Sequence, residues 1–256
     1  MLAIALAILA ALGIWWVSTG AILYLNGLGP RTYARSMAGA TVVLAAALYA
    51  VASLRNDASV AGAYLGFASG IAVWGWLEMS FLLGYLTGSR RQACPLNCGG
   101  PRHFVHAIQA IIWHELAIIT LAGAVFVLGW QGPNRVAVWT LLILWLMRAS
   151  AKLNLFLGVR NLSDELLPPH LLYLRGFFRK RPMNFLFPLS VTTATVVLTL
   201  QIRALVAPGA GDFQVISGTL LATLTALGLL EHWALVMPFS PSALWSWSWR
   251  SREAHL

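Results

Sequence analysis

Charge is scarce in this chain. Only 10% of its 256 residues are Asp, Glu, Lys or Arg, and eight of them are acidic. An ordinary soluble domain carries about 25% charged residues, so a water-facing surface of normal size is excluded. Cysteine is limited to Cys94 and Cys98, which excludes a disulfide-stapled small scaffold. No internal repeat is visible. What fills the chain instead is apolar: 59% of residues are hydrophobic and the mean hydropathy is +0.75.

A bilayer-spanning helix needs about 20 mostly apolar residues. Seven such stretches can be drawn, at about 2–25, 34–54, 60–86, 104–130, 134–158, 186–206 and 214–239. The expected fold is therefore all-α, a polytopic membrane protein with seven transmembrane helices in one domain over 1–256. The first stretch lacks a basic leader, and Ile14-Trp15-Trp16 continues it where a signal cleavage site would fall. It is read as a retained helix.

The net charge of +9 does not point to nucleic acid, because of where the charges sit. With seven spans the loops alternate between two sides. One side carries Arg31, Arg35, Arg90, Arg91, Arg102, Arg160, Arg175, Arg179, Lys180, Arg181, Arg250 and Arg252; the other carries Arg55, Arg135 and Arg203. The positive-inside rule then places the N-terminus outside and the C-terminus in the cytoplasm. Cys94 and Cys98 fall on the cytoplasmic side, where a stable disulfide is not expected.

The long connection at 159–185 contains Ser163 before two acids, the Pro168-Pro169 pair, and apolar Leu171, Leu174, Phe177 and Phe178 among His170, Tyr173 and Arg175. An amphipathic segment near 163–181 on the cytoplasmic surface is expected, held by apolar burial and anionic lipid; a basic loop serving only topology is the alternative. Glu165, His170 and Arg175 are its candidate functional residues. The tail Trp245-Ser-Trp247-Ser-Trp249-Arg250 suits an interfacial anchor, since indole prefers the headgroup zone, or a strip for docking a partner.

Within the apolar runs lie ionisable residues that cost several kcal/mol to place in hydrocarbon. They are Glu78, His106, His114, Glu115, Arg148, Lys152, Glu231 and His232, with Asn154 nearby. At 1.5 Å per residue, Glu78 lies about 12 Å from the cytoplasmic end of its run and His114 about 15 Å from the start of its own. Arg148 and Lys152 lie about 9–15 Å, and Glu231 and His232 about 11–12 Å, from theirs. Four helices thus place charges at one level; His106 sits nearer the surface.

Three readings of this set stand side by side. The charges pair and fix helix packing, leaving one surplus carboxylate. Alternatively, Glu78, His114, Glu115, Glu231 and His232 hold iron or manganese, although the Glu-x-x-His spacing of di-iron bundles is absent. Finally, His106, His114 or His232 ligates the metal of a haem or a bacteriochlorophyll. Separately, Cys94-x3-Cys98-x4-His103-x2-His106 has zinc-ligand residue types, but its spacing matches no common finger, and Pro95 with Gly99-Gly100 suits a plain turn.

An ordered set of segments resembles a known family. They are Tyr64-Leu-Gly-Phe67, Trp74-Gly-Trp-Leu-Glu78, Thr87-Gly-Ser-Arg-Arg-Gln-Ala-Cys-Pro95, His114-Glu115-Leu116 and Leu146-Met-Arg-Ala-Ser-Ala-Lys-Leu-Asn-Leu-Phe-Leu-Gly-Val159. Asn161 to Leu172, Arg181-Pro-Met-Asn-Phe-Leu-Phe-Pro188 and Leu230-Glu-His-Trp233 complete it. Together they resemble the PuhE-type photosynthetic complex assembly protein family of phototrophic proteobacteria, over about residues 60–240. Leu77-Glu78 stands where the family is expected to have His-Glu, and Cys98 is outside its pattern.

The resemblance implies an inner-membrane assembly factor for the bacterial photosynthetic reaction centre and light-harvesting apparatus. It would bind bacteriochlorophyll or a precursor, or modulate its supply, through an intramembrane polar cavity. Expected partners are the lipid bilayer, photosynthetic complex subunits and pigment-synthesis proteins, with no nucleic acid. A non-enzymatic role is expected. The competing expectations are a membrane metalloenzyme acting on a tetrapyrrole or lipid, and a structural chaperone whose buried charges only pair helices.

Overall fold

The computed structural model describes residues 1–95 and 98–238; the tryptophan tail at 245–249 lies outside the described residues. Seven long helices follow one another: α1 (Leu2–Gly27), α2 (Tyr33–Leu54), α3 (Val60–Leu82), α4 (Gly100–Gly129), α5 (Val136–Leu157), α6 (Leu186–Leu205) and α7 (Asp212–Ala234). All seven are long and apolar enough to cross a membrane. The chain is an all-helical, multi-pass membrane protein.

α3 is the central helix, packed against α1, α2, α4, α5 and α7. One core joins Leu44, Val51, Val73, Leu77, Ile118 and Leu141 across α2, α3, α4 and α5. A second joins Ala11, Phe67, Ile71, Val136, Leu220 and Leu224 across α1, α3, α5 and α7. Lipid is as apolar as these side chains, so close packing rather than water exclusion holds such helices together. α3 and α5 meet where Gly70 lies against Thr140. Both helices run in the same direction, and Glu78 and Arg148 each come eight residues later. The small-residue contact therefore sets the register in which these two charges meet.

Two helices stop earlier than their apolar runs suggest. α3 ends at Leu82, not near 86, because Gly84 turns the chain at φ +83° and the amides of Tyr85 and Leu86 both close on the carbonyl of Ser80. This is a glycine stop, open to a residue without a Cβ. α7 ends at Ala234, not near 239, where the amides of Leu235, Val236 and Met237 turn back onto His232 and Trp233. α4 instead begins at Gly100, earlier than expected. At 30 residues it is about 45 Å long, so it extends beyond a hydrocarbon core of about 30 Å. Depths counted from the ends of the apolar runs are corrected accordingly: Glu78 and Glu231 stand near the ends of their helices, and His114 stands deep within α4.

The connections gather at two ends. At one, Asn134 Nδ2 donates to the carbonyls of Asp57 and Gly62. At the other, residues 83–95, 98–99 and 158–185 cover the ends of α3, α5 and α7. The long connection is short 3-10 turns, Asp164–Leu166 and Pro169–Phe177. Three residues per turn lines up Leu171, Leu174 and Phe177, and all three are buried against Phe81 and Ala110. The apolar row of the amphipathic segment is thus covered by the helix bundle itself. Its two arms are zipped by Val159 and Arg181, through bonds between Val159 N and Arg179 O and between Arg181 N and Val159 O.

Candidate functional site

α5 carries the organising sequence, Met147-Arg148-Ala149-Ser150-Ala151-Lys152-Leu153-Asn154. Residues four apart share a helix face. Arg148 and Lys152 form one such pair; Ser150 and Asn154 form another, rotated by about 200°. The helix is therefore polar on two sides, and each side finds its own partners.

On the first side, Arg148 Nη2 donates to Glu78 Oε2 at 3.1 Å, and Lys152 Nζ donates to Glu115 Oε1 at 2.6 Å. His114 is fully buried beside them, with its Nε2 3.9 Å from Glu78 Oε1 and its ring 4.6 Å from that of Phe81. Neither ring nitrogen of His114, nor Glu78 Oε1, has a hydrogen-bond partner among the described residues. Glu231 lies within electrostatic range of Arg148 and Glu78. It is exposed on α7. Arg148 is also 43% exposed along its side chain. Glu78, Arg148 and Glu231 therefore form a row of charges whose exposure rises from the nearly enclosed Glu78 to the open Glu231.

The second side is fully bonded. His232 Nδ1 meets the carbonyl of Gly228 at 2.8 Å, so this nitrogen carries the proton, and Nε2 accepts from Ser150 Oγ at 2.9 Å. Ser150 also contacts Ser190 Oγ at 2.9 Å, and Asn154 Nδ2 donates to Ser190 Oγ at 3.1 Å. Asn184 Nδ2 reaches Asn154 Oδ1 and the carbonyl of Gly158, while its Oδ1 accepts from the amides of Leu186 and Phe187 and opens α6. With both ring nitrogens engaged, His232 is a poor metal ligand. Asn154 belongs to this network and not to the ion pairs.

His106 does not join the intramembrane charges. Its Nδ1 lies 3.3 Å from Cys94 Sγ and 3.2 Å from Cys98 Sγ, and His103 Nδ1 lies 3.2 Å from Cys94 Sγ. Cys94 and Cys98 are joined as a disulfide, against the expectation of reduced thiols. Among the described residues, the His, Cys, Asp and Glu side chains that converge at metal-ligand spacing are Cys94, Cys98 and His106. The set of Glu78, His114, Glu115, Glu231 and His232 does not converge in this way, and two of its carboxylates are engaged by Arg148 and Lys152.

The residues of the surface segment make contacts within the fold. His170 Nε2 donates to the carbonyl of Leu82 at 2.9 Å and caps α3. Burial holds its pKa below the ordinary value, and nearby Arg91 acts the same way. Arg175 pairs with Asp164 at 2.7 Å, closing the segment on itself. Glu165 sits on the turn Asp164–Leu166. At the opposite end of the bundle, a cleft of about 450 Å³ opens between Leu205, Gln214 and Leu221. None of the charged cluster lines it.

A family model described as "Protein of unknown function (DUF3623)" matches residues 1–255. The chain belongs to the DUF3623 family. It is 39% identical over 250 residues to a Rhodobacter capsulatus protein described as "Uncharacterized 30.4 kDa protein in puhA 5'region", covering 96% of this chain and 90% of that protein. The resemblance read from the sequence and this relative agree on a protein of a photosynthesis gene region. No solved structure matches.

Two contributors in this DUF3623 member escape a reading of apolar runs. The carbonyl of Thr87 accepts from the amide of His114 at 3.0 Å, so a loop enters the hydrogen-bond ladder of α4 beside the buried imidazole. Gly88 makes that approach possible, since a Cβ there would lie 2.0 Å from the carbonyl oxygen of Gln109. Thr87-Gly88-Ser89 is the signal, readable as a turn but not as a helix insertion. Asn184 and Ser190 carry no such signal, because single polar residues around a helix start look like ordinary punctuation.

Proposed function

We propose that this protein is an inner-membrane assembly factor for the photosynthetic reaction centre and light-harvesting apparatus. It acts without catalysing a reaction. The row Glu78, Arg148 and Glu231 takes a client from the membrane plane, either a bacteriochlorophyll, its precursor or a helix of a complex subunit. The observation that carries this reading is the lateral exposure of Arg148 on α5, beside the exposed Glu231 near the end of α7. Charged groups in such helices are almost always enclosed or turned to a cavity. A charge row that opens sideways is suited to a polar group brought by a partner. The family relative in the puhA region supports the photosynthetic context.

Arg148 is placed to pair with a carboxylate, and the unpartnered nitrogens of His114 behind it are placed to accept a metal or donate to a carbonyl. The orientation proposed puts the N-terminus in the periplasm and the end bearing Arg90, Arg160 and Arg179 in the cytoplasm. A membrane metalloenzyme is less favoured, because Glu78 and Glu115 already face Arg148 and Lys152.

The test is purification from a phototrophic host in mild detergent at near-native level, followed by absorption spectroscopy and identification of co-purifying chains. Bound tetrapyrrole or a photosynthetic subunit, reduced at least tenfold by Arg148→Met, is the expected outcome. A colourless protein with no such companion, or capture indifferent to Arg148→Met, overturns the reading.

A further inference from the structure

A second site lies outside the charge cluster, where residues 84–99 meet the start of α4. Cys94 and Cys98 approach from the loop, and His103 and His106 from the first turns of the helix. His103 and His106 are three residues apart, so they share a face. The sulfur-to-nitrogen separations are 3.2, 3.2 and 3.3 Å. In a tetrahedral zinc site with Zn–S near 2.3 Å and Zn–N near 2.0–2.1 Å, neighbouring S and N ligands stand about 3.5 Å apart. The observed edges fall a few tenths of an ångström inside that value. Relaxation by this amount at these edges, together with parting of the bonded sulfurs of Cys94 and Cys98 on reduction, admits an ion.

The surroundings hold the ligands in place. The ring of His103 stacks at 5.3 Å on Phe156 and lies 5.6 Å from Phe177, and His103 itself is buried. Arg90 donates to the carbonyls of Gln92 and Ala93, fixing the chain just before Cys94. Gly176 of the surface segment lies against Ala93 and the amide of Cys94. Three separate elements thus converge on four ligand-bearing residues, and neither the ion pairs nor the serine–asparagine network uses them.

We propose that Cys94, Cys98 and His106, joined by His103 through its contact with Cys94, form a binding site for a zinc-class divalent cation. The cation ties the loop, α4 and the surface segment together. The site is filled from the reduced protein. Two equivalents of a small thiol, or one of a phosphine, reduce the Cys94–Cys98 disulfide to two thiols, and the reductant is oxidised to its disulfide or phosphine oxide. The cation then binds both sulfurs as thiolates and releases two protons. The inference stands apart from the assembly role, since it uses none of the residues assigned to that role.

The experiment uses the full chain in mild detergent, reduced by a phosphine under argon, with free thiols counted before titration with cobalt(II) alone. The expected result is one cobalt per chain, with thiolate-to-cobalt charge transfer and the intense visible bands of a tetrahedral ion. Equimolar zinc should bleach those bands and protect both thiols from alkylation. Cys98→Ser and His106→Ala should each lose the tetrahedral bands while keeping the wild-type helical circular dichroism. Two free thiols per chain with no tetrahedral bands overturn the site. So does full, zinc-competed binding in Cys98→Ser. If a variant fails to fold, the alkylation protection on the unaltered chain decides alone: no protection by zinc counts against the proposal.

Discussion

Lys152 and Glu115 show how a membrane helix carries a charge. Their atoms meet at 2.6 Å, with 20% and 25% of the side chains exposed. Removing one partner strands the other in a low-dielectric setting, and that is the expensive change. Lys152→Met should therefore destabilise the protein by about 2–3 kcal/mol, below what a fully buried pair loses. Lys152→Met with Glu115→Gln should recover much of that loss. Thermal unfolding in detergent checks it; a double variant as damaged as the sum of the single ones would count against the pairing. His170 makes a pH-dependent prediction. Burial holds its folded pKa below the ordinary histidine value, against the pull of the bond to Leu82, so the docked neutral ring is fully favoured above about pH 6.5, and the cost of burying the imidazolium opposes docking as the pH falls below it. Proteolysis within 159–185 should quicken on acidification, and His170→Gln should remove that pH dependence.

Among the elements, the loop over α4 and the opening of α6 are the most exacting. Gly88→Val places side-chain atoms where the carbonyl of Gln109 stands. The loop should lift from α4, and limited proteolysis across 83–99 should accelerate severalfold; unchanged cleavage would show that Thr87 does not need this approach. Asn184→Ala leaves carbonyls of Asn154 and Gly158 and amides of Leu186 and Phe187 without their side-chain partner. A cost of about 2–4 kcal/mol follows from a lost cap together with unpaired buried groups. Helix existence was legible in the sequence because about 20 apolar residues are needed to span. Helix ends were less so. Gly84 stops α3 by a backbone turn that hydropathy does not register, and α4 gains a first turn on Gly100-Pro101-Arg102-His103, outside the apolar run. The pairing of Glu78 with Arg148 depends on Gly70 meeting Thr140, a three-dimensional register that spacing along one helix does not encode. His106 looked like a member of the charge set for the same reason: a depth count along α4 is blind to what approaches from the loop.

The whole molecule is a bundle around α3 with its chemistry gathered at one end. That end holds the ion pairs, the serine–asparagine network, the Cys–His group and the docked surface segment; the other holds the Asn134 cap and an apolar cleft. The imbalance of basic residues follows the same division. Reporter fusions should therefore read cytoplasmic after residue 238 and periplasmic at the 55–59 turn; the opposite pattern would reverse the proposed orientation. The central claim is that the laterally open charge row serves assembly of the photosynthetic apparatus. Its most direct test is complementation of a deletion in a phototrophic host. The near-infrared absorption of isolated membranes would be compared for the unaltered gene and for Arg148→Met with Glu231→Gln, at equal protein level by immunoblot. The account predicts that reaction-centre and light-harvesting bands return with the unaltered chain and stay depressed at least several-fold with the double variant. Full restoration by a stably expressed double variant would contradict it.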